Sequence, residues 1–260
     1  MKERETEKVS SDADFQQGDI LKIEHGNCHD PHRMGVIINA DCDLLHNKTD
    51  GVIAYLPIYS FTEYLKYFWA PKYISSIASE THKEISSLLK LDLAEVQNIL
   101  QWLEQDPESE VVDKIAQNKN LPKKDKEALL GLFRKLSMCQ RDPLEAFSFI
   151  CKNKPSPETY ARKQIDAAKK DMGDGHFFVT EIDSYEDIGF VVRLRRIYSI
   201  EKKHCFTSMA AQKIKSSETN SSAIRIAKFS KIYQFKLAQL FALQFSKIGL
   251  PDEISKLSSL

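Results

Sequence analysis

MGVIINA, residues 34–40, decides the fold. It is almost continuously apolar and rich in β-branched side chains, too short for a self-standing helix and suited to a strand buried on both faces. Two further runs flank it. Residues 19–24 (DILKIE) alternate apolar and polar as a half-buried strand does, and residues 51–58 (GVIAYLPI) repeat the β-branched character, with Pro57 placing that end at an edge or exit. Beyond Ser60 the period changes. Helical spacing is expected over residues 61–76, 79–91, 93–104, 108–117, 123–140, 143–152 and 157–172, clearest where Leu93, Val96, Ile99, Leu100 and Leu103 recur at about 3.6 residues. Asp142-Pro143 and Ser156-Pro157 each offer an N-cap followed by Pro at the first helical position.

A Gly173-Asp174-Gly175 turn closes the helical block. Strand character then returns at residues 176–183 (HFFVTEID) and 189–200 (GFVVRLRRIYSI), joined by a polar connection. A loop at 216–222 leads into an expected long helix over 223–248, stopped by Gly249-Leu250-Pro251. Neither strand group can stand alone, but five strands together can close a small barrel. The expected fold is therefore α+β. A small five-stranded β-barrel is built from residues 17–60 and 176–200, with a helical domain inserted at 61–175. Residues 1–16 form a disordered leader, and 201–260 a C-terminal basic loop and long helix.

The 260 residues carry 37 basic and 37 acidic side chains, with 42% hydrophobic and 28% charged, values that exclude wholesale disorder. The longest apolar runs fall short of a membrane span, and residues 1–16 lack a signal-peptide core, so a cytoplasmic location without membrane contact is expected. Five Cys at irregular spacing suit a reducing compartment. The zero balance conceals a gradient. Residues 1–191 carry 24 basic and 33 acidic groups, whereas residues 192–251 carry 12 basic against only Glu201 and Glu218. A basic third points to a polyanion, or to pairing with acids elsewhere.

Gly18-Asp19-Ile20, then His32-Arg33-Met34-Gly35-Val36-Ile37-Ile38-Asn39, then Ala54-Tyr55-Leu56-Pro57-Ile58 together resemble the PemK/MazF type of small barrel, the toxin ribonucleases of toxin–antitoxin pairs. The likeness covers residues 17–60 and extends less closely to 176–200. It implies that Arg33 and a hydroxyl residue after Pro57 carry RNA cleavage. Tyr59 stands where that family has a threonine, with Ser60 one residue later, and a one-residue offset turns a strand side chain to the other face. The acid–Cys–acid turn Asp41-Cys42-Asp43 is similar to barrel proteins found beside bacterial antiviral defence genes.

Chemistry concentrates between His25 and His46. Cys28-x3-His32 and Cys42-x3-His46 repeat one spacing, which makes a Cys2His2 zinc site imaginable, but structural zinc sites are spaced differently, and no metal or cofactor is expected. Asp41 and Asp43 would share one face of an extended segment, where two carboxylates could hold a divalent cation; the competing and favoured reading caps turn amides and uses Cys42 to fill a core gap. For metal-free RNA cleavage the candidates are Arg33 as charge stabiliser, with Asp41 or Ser60 assisting. Arg193, Arg195, Arg196 and Tyr198 form the best nucleic-acid signal, since basic groups beside an aromatic can meet backbone and stack bases. The function expected is a barrel-type binding subunit of a bacterial defence or toxin-related system, contacting nucleic acid (RNA before DNA) or a partner protein. The alternative is a metal-independent endoribonuclease. Self-association through the last helix is a further expectation.

Overall fold

The computed structural model describes residues 4–25, 32–215 and 221–246. The chain divides into two compact units: one takes the residues up to Tyr64 and from Asp171 onward, the other is Leu65–Lys170.

The first unit is a curled, largely antiparallel sheet, a half-barrel. Its strands among the described residues are β1 (Thr6–Glu7), β2 (Asp19–His25), β3 (Met34–Ile37), β4 (Val52–Ser60), β5 (His176–Val179), β6 (Phe190–Arg193), β7 (Tyr198–Glu201), β8 (Cys205–Phe206) and β9 (Ser221–Phe229). They lie in the order β1-β9-β2-β3-β4-β6-β5, with β7 beside β4 and β8 parallel to β9. Early and late segments thus share one sheet: Ile58 faces Val192, and Ile53 faces Ile200. One face buries Ile20, Val36, Leu56, Ile58, Phe177, Val192 and Phe229. Leu237, Tyr233 and Phe241 of α9 (Lys231–Ser246) pack onto it. The other face buries Leu21, Ile23, Ile37, Ile53 and Tyr55.

The sheet departs from five closed strands, and β9 is the reason. Residues 223–229, expected to open a long helix, instead form strand, with Ala223–Lys228 pairing with Asp19–Ile23 of β2 and Phe229 with Thr6 of β1. Ile20 faces Ala227 but Leu21 faces Arg225, so Ile226 is an extra residue, a β-bulge. A bulge reverses which face successive residues occupy. That erases the period of two and leaves Ile226, Phe229, Ile232 and Tyr233 at a deceptively helical spacing. The true helix begins only at Lys231.

The curl brings the two ends of the sheet within side-chain reach. The carboxylate of Glu5, 5% exposed, accepts from Thr180 N at 2.5 Å, Glu181 N at 3.3 Å and the Tyr233 hydroxyl at 3.0 Å. The Thr6 hydroxyl accepts from Asp183 N at 3.0 Å. Side chains therefore stand in for the backbone ladder that would close a barrel.

Residues 4–16, expected as part of a disordered leader, are fixed in the same way. Arg225 lies buried and donates to the backbone oxygens of Ser10, Ala13 and Asp14 at 2.7–2.8 Å and to Asp19 at 3.1 Å. A guanidinium has five N–H donors in a fixed fork, and here the N-terminal strap supplies most of the acceptors. Burial pushes the Asp19 carboxyl up, against the opposing pull of the Gln16 N–H and Arg225.

The second unit consists of α3 (Ala70–Leu89), α4 (Leu93–Leu103), α5 (Glu108–Lys119), α6 (Lys123–Cys139), α7 (Pro143–Lys152) and α8 (Pro157–Lys170), entered through a π-helical turn at Leu65–Trp69. Its core joins Ile85, Leu89, Val96, Val112, Leu129 and Phe133. Local rules account for its punctuation. Asp92 and Glu95 form a capping box, and Asp142 caps α7 ahead of Pro143. The two helices expected over 61–76 and 79–91 have no break between them, since no Pro or Gly falls at 74–80.

Candidate nucleic-acid interface

Residues directly opposite one another in an antiparallel pair share a face. Gly35 lies opposite Pro57, and Ile37 opposite Tyr55, which in turn faces Tyr198. Gly35 has no side chain because the Tyr55 ring occupies its space: a Cβ there would stand 2.3 Å from Tyr55 Cδ2. Tyr55 is thereby laid across the sheet, and its hydroxyl comes 3.2 Å from His32 Nε2. His32 is fully buried, with its ring 4.5 Å from Tyr198 and 6.1 Å from Tyr59. Tyr55 and Tyr198 stack at 5.8 Å and 18°. The result is a four-ring cluster, one imidazole among three phenols, in which Tyr198 alone is half-buried.

A basic edge adjoins it. The single strand expected over 189–200 is broken: β6 ends at Arg193 and β7 starts at Tyr198. Arg195, Arg196 and Ile197 in between form an exposed turn. Arg195 Nε donates to Gln244 Oε1 at 3.0 Å, and Gln244 Nε2 donates to Asp174 O at 2.5 Å. Arg193 is half-buried and faces His176 across the β5–β6 pair. His176 also sits edge-on to Tyr64 at 5.4 Å. Burial holds the His176 imidazole below its ordinary value, and the positive charges of Arg193 and Arg195 add to that depression. Burial raises the Tyr64 phenol, with Asp171 adding to the rise.

The residues singled out for cleavage do not gather. Arg33 is exposed, immediately before β3 and beside the aromatic cluster. Asp41 begins α1 (Asp41–Leu45), beyond the other end of β3, where it accepts from Gln17 N at 2.7 Å. The four residues of β3 separate the two by roughly 10 Å or more. Ser60 Oγ accepts from Glu63 N at 3.1 Å while Glu63 returns a bond to Ser60 N at 3.0 Å, a capping box for α2 (Phe61–Tyr64).

The extended geometry expected for Asp41 and Asp43 is replaced by a helical turn, on which residues two apart point in nearly opposite directions. Cys42 is exposed, not buried in a core gap. Cys28, His29 and Asp30 lie outside the described residues, and among the described ones no group of three or more His, Cys, Asp or Glu could hold a metal.

The charge gradient also changes meaning in three dimensions. Leu65–Lys170 carries 18 basic and 15 acidic side chains, and the rest of the chain 19 and 22, so the units differ by little. Several cations of the basic third are spent internally: Arg225 on the strap and Asp19, Lys228 on Gln16, Lys202 on Asn47 and Lys203 on Glu201. Arg195 and Arg196 stand side by side in the exposed β6–β7 turn. Tyr55, absent from the sequence candidates, has a readable signal in retrospect: Tyr55 and Tyr59 are four apart on one strand and so share a face. No protein family, curated protein or solved structure matches this chain.

Proposed function

We propose that this chain is a binding component whose half-barrel unit contacts the backbone and bases of single-stranded nucleic acid, RNA before DNA, through the turn between β6 and β7. The observation that carries the reading is the exposed run Arg195-Arg196-Ile197 leading directly into half-buried Tyr198. Guanidinium groups supply phosphate contacts, and the ring of Tyr198, backed by His32 and Tyr55, is held rigidly enough to stack a base at small entropic cost. A setting in bacterial defence or a toxin-related pair is part of the proposal, carried by the resemblance of residues 17–60.

The ribonuclease alternative is less well supported, because Arg33 and Asp41 stand at opposite ends of β3 and Ser60 is engaged in a cap. Metal-free cleavage would need a base and a charge stabiliser on one phosphate. Incubating the protein with RNA, with and without EDTA, tests this. The expected result is intact RNA in both arms. EDTA-resistant cleavage that disappears in Arg33→Ala would overturn the binding-only reading. Should RNA neither bind nor break, a partner protein becomes the ligand of the same turn.

A further inference from the structure

α6 carries a glycine with no backbone reason to be there. Gly131 is the ninth of the helix's seventeen residues, its φ is not positive, and a Cβ built on it meets nothing within 4 Å. Mid-helix glycine costs about 1 kcal/mol relative to alanine, so neither local conformation nor close packing explains it. Exposed Gly131 lines a cavity of about 480 Å³ bordered by residues of α6 and the end of α7. Phe149 and Ile150 give this cavity an apolar side, while Arg134, Lys135 and Lys154 supply three cations, and no carboxylate lines it.

Those cations are only loosely engaged. Arg134 Nε lies 4.0 Å from Glu108, Lys135 Nζ 3.7 Å from Glu84, and Lys154 Nζ 5.1 Å from the centre of the Tyr160 ring. Exposed pairs of this kind contribute little and are readily exchanged for a better anion. The volume falls in the range of small-molecule sites, and an apolar wall beside cationic lining residues is what orients a ligand having both characters.

We infer that the helical unit holds a small organic phosphate in this cavity, its flat apolar body over Gly131, Phe149 and Ile150 and its phosphate among Arg134, Lys135 and Lys154. The site lies within Leu65–Lys170 and is independent of the nucleic-acid reading of the β6–β7 turn.

Calorimetric titration of the full chain with 1-naphthyl phosphate, 1-naphthol and inorganic phosphate provides the test. Binding of the naphthyl phosphate should exceed that of either fragment at least tenfold and weaken with added salt. Gly131→Leu is the decisive variant. Leucine is the better helix former, so the melting temperature should hold or rise while binding is lost. Lys154→Gln, at an exposed position, should weaken binding about threefold to tenfold. Equal binding by wild type and Gly131→Leu, or no binding of the phosphate ester by the wild type, would overturn the assignment.

Discussion

Each unit of this chain buries an apolar core, but the polar contacts around those cores differ. The helical unit combines apolar residues at 3.6 spacing with local caps such as Asp92 with Glu95 and exposed ion pairs such as Lys126 with Asp113 at 2.6 Å. The half-barrel depends on distant partners. Glu5 bonds backbone 175 positions away, and Arg225 reaches back 215 positions to Ser10. Contacts between distant segments close long loops before any stabilisation is returned, so they demand buried, well-satisfied polar groups. The difference teaches that both units rest on an apolar core, and that the sheet adds to its core a few buried polar side chains that tie distant segments together.

Mutation can break that comparison directly. Arg225→Ala leaves Asp19 buried without its cation and strips three strap carbonyls of their donor. A loss of about 3–5 kcal/mol is expected in urea unfolding. A loss below 1 kcal/mol would show that the strap is not a structural member. Gly35→Ala forces a methyl against the Tyr55 ring and should cost about 1–3 kcal/mol, with a changed near-ultraviolet circular dichroism signal from the displaced tyrosines. An unchanged spectrum would mean the ring is not pinned there.

Acid should act on the half-barrel through His176. Its folded pKa lies below the ordinary 6.5, so the unfolded chain takes the proton first. The stability it contributes is present above that value and lost as pH falls through and below 6.5. His176→Gln should flatten the acid limb of a pH–stability curve; an identical limb in the variant would remove His176 from the account. The smallest effect belongs to the bundle surface. Lys126→Ala breaks an ion pair whose side chains are about half exposed, and should shift stability by less than about 1 kcal/mol. A larger loss would mean that the bundle too relies on individual polar contacts.

The same contrast explains what the sequence made legible. Helix boundaries from α4 to α8 could be read within a few residues because caps and periods are written locally. β2, β3 and β4 were equally plain. β9 was not, since the bulge at Ile226 destroys alternation and its alanines favour a helix. β1 has two residues, too few for any pattern, and the strap is invisible without knowing that Arg225 covers it. At the site, Arg193, Arg195, Arg196 and Tyr198 were recognisable as basic groups beside an aromatic. The turn that exposes two of them was hidden in an apparently continuous strand. Asp41 and Ser60 drew attention as chemical groups, whereas in the fold one bonds Gln17 and the other caps α2.

Fluorescence anisotropy of a labelled single-stranded RNA, titrated with wild type and with the Arg195→Gln, Arg196→Gln double variant across a salt series, tests the central claim most directly. Wild-type binding should weaken steeply with salt. The variant should bind more weakly, its slope of log affinity against log salt shallower by about 1.4 for two lost phosphate contacts. Equal affinities and equal slopes for the two proteins would contradict it.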